Sequence, residues 1–189
     1  MEPTPLFVPG KDGMKLFNDL RNRNVQVSVL TNSFASTDEP IVHLAYSRYR
    51  KPLLTMGVEL YELSQKRVKD NMQSLLMSST IGRLHSKSVV IDKQMSYIGS
   101  MNLSRRSATI NTEFGAVIDS KQLAKELGQL IEVDRLHSAY RVQLLGSGHL
   151  QWVAPDSNGK KIMITEPDSV WWSRWLGTFI EPLVPENNL

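Results

Sequence analysis

Four side chains between residues 85 and 102 have the types and the spacing needed to hold a phosphate. His85 and Lys87 lie two residues apart at the start of a predicted strand, so both side chains point to the same face. An imidazole beside an ammonium is electrostatically unfavourable unless an anion lies between them, and a phosphate would fill that place. Ser100 and Asn102 also lie two residues apart, and they offer a hydroxyl and an amide as neutral donors. The pattern predicts one nucleophile or base, one cation and two neutral donors around a small anion.

These residues belong to one pattern, H-x-K-x4-D-x6-G-S-x-N, which starts at His85. The pattern crosses a predicted strand over 88–92, a turn at 93–94 and a second strand over 95–99. The glycine before Ser100 allows the backbone to approach a ligand closely. Asp92 shares the face of His85 only if the strand is irregular. We therefore interpret Asp92 as support for the turn or for neighbouring backbone, and not as a proton carrier.

The pattern resembles the HKD motif of the phospholipase D superfamily. The resemblance continues through Asn-Thr-Glu-Phe-Gly at 111–115. Flanking segments at 7–10, 29–38, 49–54 and 57–63 are similar to bacterial cardiolipin synthases of the C type. The resemblance covers nearly the whole chain and corresponds to the C-terminal half of such an enzyme.

The resemblance implies a two-step displacement at a phosphodiester. One histidine forms a covalent phosphohistidine, and a second histidine protonates the leaving alcohol and then activates the incoming hydroxyl. His85 would take one of these roles, while Lys87, Ser100 and Asn102 would bind the non-bridging oxygens of the substrate. Glu113 matches the family carboxylate that hydrogen-bonds the catalytic histidine. No metal or other cofactor is implied. The candidate catalytic residues are His85, Lys87, Asp92, Ser100, Asn102 and Glu113.

Full-length relatives carry two HKD motifs, and their site forms where the two halves meet, whereas this chain has one motif. The other histidines, His43, His137 and His149, have no lysine two positions further on. Three alternatives stay open: a symmetric homodimer, a partner chain with the second HKD half, and a catalytically incomplete fragment. In the homodimer, a two-fold axis would bring both copies of His85 to one phosphate.

The resemblance also implies a substrate class. A cardiolipin synthase moves a phosphatidyl group from a donor phospholipid to the hydroxyl of another lipid, and the donor is phosphatidylglycerol or a similar lipid. The alternative function is that of a homodimeric phosphodiesterase or nuclease. A net charge of +3 without a basic stripe argues against nucleic acid as the main ligand. No signal peptide or membrane span is predicted. We therefore expect a bacterial protein that is peripheral on the inner membrane and otherwise cytoplasmic.

Composition and element order predict one α/β domain over residues 1–189. Hydrophobic residues make up 41% and charged residues 22% of the chain, as in globular domains, and the absence of cysteine excludes disulfides and cysteine-bound zinc. We expect a mixed β-sheet between helices on both faces, one phospholipase D-like domain that is half of the usual bilobal enzyme. Helices are predicted over 11–23, 38–56 with a break or kink at Pro52, and 121–136, and further strands over 25–31, 58–63, 111–118, 140–145, 149–153 and 160–165.

The C-terminal segment 169–189 is predicted to be amphipathic and rich in tryptophan. Trp171, Trp172 and Trp175 lie at near-helical spacing in a predicted helix over 169–180. This apolar face has two interpretations. It docks on the sheet or on the second half of the enzyme, or it contacts a lipid interface.

Overall fold

The computed structural model describes residues 2–70, 83–156 and 159–168. In these ranges the helices are α1 (Gly10–Asn22), α2 (Pro40–Ser47), α3 (Arg50–Thr55), α4 (Gln65–Asp70), α5 (Arg105–Thr109) and α6 (Lys121–His137). The strands are β1 (Glu2–Pro3), β2 (Ser28–Asn32), β3 (Glu59–Leu63), β4 (Lys87–Ile91), β5 (Met95–Gly99), β6 (Gly115–Asp119), β7 (Ala139–Leu144), β8 (Leu150–Asp156) and β9 (Gly159–Met163).

Six of these strands form a mixed sheet in the order β1-β2-β3-β7-β8-β9. The first three strands are parallel to one another, and the pairs from β3 to β9 are antiparallel. The central strands β2 and β3 are buried at four of their five positions. Such continuous burial is typical of strands that are covered on both faces. The α/β class with a mixed sheet, predicted from the sequence, is confirmed.

The strands of the phosphate-binding pattern form a second, antiparallel sheet in the order β4-β5-β6. Lys87 at the start of β4 pairs with Gly99 at the end of β5, and Gly99 pairs in turn with Gly115 of β6. This register leaves His85 and the residues after Gly99 at the same end of the sheet. The hairpin therefore brings the two parts of the pattern together.

The turn of this hairpin lies at the opposite end of the sheet. Asp92 and Lys93 have positive φ angles of 51° and 55°, and the backbone N–H of Gln94 donates to the carbonyl of Ile91 at 3.0 Å. Two successive residues at positive φ are typical of the type I′ turn, whose twist matches that of antiparallel strands. Asp92 thus belongs to the turn and not to the strand predicted over 88–92.

Helix α6 packs against both sheets. The hydroxyl of Ser120 caps its first turn by accepting a hydrogen bond from the N–H of Leu123 at 3.3 Å. Its buried residues Ala124, Leu127 and Ile131 share one apolar cluster with residues of β2, β3 and β4. The helix predicted over 121–136 is present, and its apolar face fixes the second sheet against the first.

Side-chain hydrogen bonds join the base of the hairpin to the six-stranded sheet. The amide of Asn32, at the end of β2, donates to the carbonyl of Leu84 at 3.1 Å and accepts from the N–H of Leu84 at 2.9 Å. On the other arm, the N–H of Leu103 donates to the hydroxyl of Thr4 at 3.2 Å. Residues directly before His85 and directly after Asn102 are therefore held in place.

Two predicted elements differ from the structure in detail. The helix predicted over 38–56 is two helices, α2 and α3, which are separated at Arg48 and Tyr49. Pro52 lies in the first turn of α3, where a backbone N–H has no intrahelical partner, so it does not cause the break. The predicted strand over 111–118 starts only at Gly115. The tryptophan-rich segment 169–189 lies outside the described residues.

Candidate functional site

His85 and Lys87 lie side by side at the open end of the second sheet. His85 is exposed directly before β4, and Lys87 is the first residue of β4. The ammonium of Lys87 donates to the backbone carbonyl of His85 at 2.9 Å, and its Nζ lies 3.4 Å from the imidazole Nε2. The carbonyl bond holds the cation beside the ring. The two groups together form a small polar site that suits an anion.

The surroundings of Lys87 affect its protonation. Partial burial lowers the pKa of Lys87 below its usual value, and the carboxylates of Glu113 and Asp38 act in the opposite direction. The two carboxylates are therefore close enough to influence the ammonium. Asp38 was not among the residues predicted for the site.

Ser100, directly after β5, and Glu113, just before β6, form a hydrogen-bonded pair. The hydroxyl of Ser100 donates to Oε2 of Glu113 at 2.5 Å and accepts from the N–H of Phe114 at 3.0 Å. The amide of Asn111 donates to Oε1 of Glu113 at 3.2 Å. These bonds, with one from Ser107, lower the pKa of Glu113. The carboxylate therefore stays ionised at lower pH than an ordinary glutamate.

The expected hydrogen bond between Glu113 and His85 is not present among the residues that the structure describes. The carboxylate is bound by Ser100 and Asn111 instead, so the hydroxyl of Ser100 is directed at Glu113. Phosphate binding by Ser100 would therefore require its hydroxyl to exchange partners. Glu113 lies at the same end of the sheet as Lys87, and its negative charge acts to raise the pKa of the Lys87 ammonium.

Asn102 lies half-buried just beyond the hairpin. Its side-chain Oδ1 is buried and makes no hydrogen bond within the described part of the chain, while its backbone carbonyl accepts from the N–H of Ser104 at 2.9 Å. A buried acceptor without a partner is costly unless a ligand or water donates to it. The Oδ1 atom of Asn102 is therefore an acceptor available at the site end of the hairpin.

Asp92 is the predicted site residue that the structure places elsewhere. It lies in the exposed turn beyond the far end of β4, about 16 Å from Lys87 along a strand that rises about 3.3 Å per residue. This position agrees with the interpretation of Asp92 as a residue that supports the turn. The fold groups His85, Lys87, Ser100, Asn102 and Glu113 at one end and leaves Asp92 at the other.

A second cluster of charged side chains is buried between α2, α3 and the six-stranded sheet. Arg50 donates from Nε to Glu62 at 2.7 Å, and its Nη2 contacts Glu166 and lies 2.7 Å from Nε2 of His43. Burial opposes the ionised form of Glu166, but Arg50 and His43 outweigh it and hold the pKa of Glu166 well below its usual range.

The oxygens and the nitrogen of His43, Glu62 and Glu166 lie within 4.8 Å of one another, close enough to hold a metal ion. The guanidinium of Arg50, however, contacts all three side chains and supplies the positive charge that a cation would bring. We therefore interpret the cluster as a structural ion-pair network. His43, which lacks the lysine of the motif two positions further on, is a buried member of it.

Comparison with solved structures places the fold among phospholipase D-like domains. The phospholipase D family member Nuc from Salmonella typhimurium matches with a TM-score of 0.57 at 19% identity, over 75% of this chain and 80% of that chain. The phosphatidylserine synthase of Haemophilus influenzae Rd KW20 matches with a TM-score of 0.61 at 13% identity, over 100% of this chain and 41% of that chain. At these identities the likeness concerns the fold.

Sequence comparison then identifies the family. Residues 3–135 match the family described as "Cardiolipin synthase, PLD-like domain", and the chain belongs to this family within the phospholipase D superfamily. Cardiolipin synthase C from Escherichia coli K12 is 34% identical over 170 residues, which are 89% of this chain and 36% of that protein. The chain thus spans about a third of the length of this relative. The resemblance seen in the sequence is confirmed.

Among the described residues, no helix has the length and apolarity needed to cross a membrane.

Proposed function

We propose that this chain supplies one half of a phosphatidyltransferase site of the cardiolipin synthase type. The observation that carries the proposal is the exposed imidazole of His85, 3.4 Å from an ammonium that a backbone carbonyl holds in place. Family membership supports enzymatic action on a phosphodiester, and Cardiolipin synthase C supports a phospholipid as substrate. Asn102 lies at the same end of the hairpin, and its side-chain amide nitrogen can donate to an oxygen of a bound phosphate.

The proposed reaction has two displacement steps. In the first, a lone pair of one imidazole attacks phosphorus, the bond from phosphorus to the leaving alcohol oxygen breaks, and a second imidazole gives that oxygen a proton. In the second, the acceptor hydroxyl attacks phosphorus, the second imidazole takes its proton, and the phosphorus–nitrogen bond breaks. Lys87 and Asn102 hold the non-bridging oxygens while negative charge builds on them. His85 is one of the two imidazoles.

The second imidazole comes from another HKD half, which a second copy of this chain, a partner chain or another part of a longer protein would supply. We propose that the assembled enzyme acts at the surface of a bacterial inner membrane, where its lipid substrates lie. The homodimer places His85 of both copies at one phosphate.

Incubation with phosphatidylglycerol vesicles, followed by mass spectrometry of the lipids, tests this function. Cardiolipin as product supports transfer, and phosphatidic acid supports hydrolysis. His85→Asn is expected to abolish either product, while the control His149→Asn, in the exposed turn between β7 and β8, keeps the wild-type rate. Equal rates for wild type and His85→Asn would refute the proposal. Light scattering in the same buffer distinguishes monomer from dimer.

A homodimeric phosphodiesterase that acts on nucleic acid is the second candidate. The likeness of this fold to that of Nuc supports this candidate. Labelled single- and double-stranded DNA in the same assay separates the candidates. Cleavage of DNA without any lipid product would favour the second candidate.

A further inference from the structure

Tyr97 lies on the face of the second sheet that carries Lys87. Residues two apart on a strand share a face, so Tyr97 and Gly99 of β5 point the same way. Lys87 pairs directly with Gly99, and directly paired residues of antiparallel strands also share a face. Tyr97 is therefore two residues along β5 from Gly99, the residue opposite Lys87.

Two glycines make room for the ring of Tyr97. A Cβ atom on Gly99 would lie 2.4 Å from the Tyr97 hydroxyl, and a Cβ on Gly115 would lie 2.3 Å from Cε2 and 2.4 Å from the hydroxyl. Real Cβ contacts do not reach such distances. Neither glycine has a positive φ, so the backbone conformation does not require glycine at these positions. Their common role is to let the phenol lie across β5 and β6.

The ring carries its hydroxyl to the end of the sheet where the site lies. The hydroxyl lies over Gly99 and Gly115, the last residue of β5 and the first of β6, and Gly99 is the residue that pairs with Lys87. No hydrogen bond to this hydroxyl is found in the part of the chain that the structure describes, and Tyr97 is half-buried. A phenol oxygen in this position can donate to an oxygen of a bound anion.

We propose that Tyr97 is a substrate-contacting residue, whose hydroxyl donates a hydrogen bond to a non-bridging oxygen of the phosphodiester held by His85 and Lys87. This inference rests on the proposed function, because it takes the phosphodiester site as given. Gly99 and Gly115 act through Tyr97, since they admit its ring. The site thus gains a third neutral donor beside Ser100 and Asn102.

Tyr97→Phe removes the hydroxyl and keeps the ring. A hydrogen bond to a charged group is strong enough that its loss should lower kcat/KM by about tenfold or more. Binding of inorganic phosphate, measured by titration calorimetry, should weaken by a similar factor, while the melting temperature stays the same. The control Tyr61→Phe removes a hydroxyl that bonds to Arg135 away from the site, and it should leave phosphate binding unchanged.

A double-mutant cycle tests the role of the glycines. Gly115→Ala should displace the ring and weaken phosphate binding as much as Tyr97→Ala does, and Gly115→Ala should add no further loss in the Tyr97→Ala background.

Unchanged phosphate binding and turnover in Tyr97→Phe would overturn the inference, and so would a wild-type chain that binds no phosphate. A wild type that binds phosphate through Tyr97 but turns over no lipid would instead count against the proposed function alone.

Discussion

Replacing Glu62 by glutamine should strongly destabilise the fold. The Glu62 side chain is 0% exposed and accepts four hydrogen bonds: two from Arg50, one from the hydroxyl of Tyr46 at 2.9 Å and one from Nε1 of Trp152 at 2.8 Å. An amide replaces one accepting oxygen with a donor. Donors of Arg50, Tyr46 or Trp152 would then face an N–H group and remain buried without an acceptor.

The structure sets the size of this effect. Breaking a buried ion pair by removing one charge costs about 3–5 kcal/mol. Glu166 still pairs with Arg50 in the variant, so we expect the lower end, about 3 kcal/mol. For a chain of this size each kcal/mol lowers the melting temperature by about 2–4 °C, which predicts a drop of about 6–12 °C.

Thermal and urea unfolding followed by circular dichroism measure the change. Glu59→Gln is the matched control because it lies on the same strand, and its side chain, 40% exposed, pairs at the surface with Arg141 at 3.1 Å and Arg135 at 3.5 Å. An exposed pair contributes about 0–1 kcal/mol, so the control should stay near the wild type. If Glu62→Gln destabilises the chain no more than Glu59→Gln, the interpretation of the cluster as a structural network is wrong.

Three further predictions concern charge and the hairpin. The folded state lowers the pKa of Glu166, so this carboxylate stabilises the fold at pH values above its ordinary pKa of 4.5 and loses that contribution as the pH falls. The difference in unfolding free energy between wild type and Glu166→Gln should therefore shrink in acid. A difference that does not depend on pH would contradict this prediction. Lys87 has a lowered pKa, so kcat/KM should fall at alkaline pH with a midpoint below 10.5, the ordinary pKa of lysine. Lys87→Arg should remove this alkaline decrease, because arginine stays charged. An unchanged decrease in the variant would assign it to another group. Asp92→Asn, which tolerates a positive φ, should keep turnover within about twofold in the lipid assay, and a tenfold loss would place Asp92 in the reaction.

The local elements of the site could be predicted from the sequence. The alternation of β4 and β5 and the 3.6-residue period of α6 are local patterns, and the structure contains all three elements. The register that places Lys87 opposite Gly99 follows from the short turn between the strands. The convergence of His85, Lys87 and Ser100 on one end of a hairpin was therefore predictable.

Contacts between distant segments could not be predicted in the same way. The amide of Asn32 fixes Leu84 across 52 positions, and Glu166 reaches Arg50 across 116 positions. No periodicity in one sequence shows which buried polar side chains meet. The separation of β4, β5 and β6 into their own sheet depends on the same long-range packing, as does the partner of Glu113.

The rate of lipid product formation by wild type and by His85→Asn, measured on folded protein, tests the central claim most directly. Loss of a positioned general acid–base or nucleophilic histidine should lower the rate at least about a hundredfold. His85 is exposed, so the circular dichroism spectrum and melting temperature should not change. A folded His85→Asn variant that makes product at more than about half the wild-type rate would contradict the account.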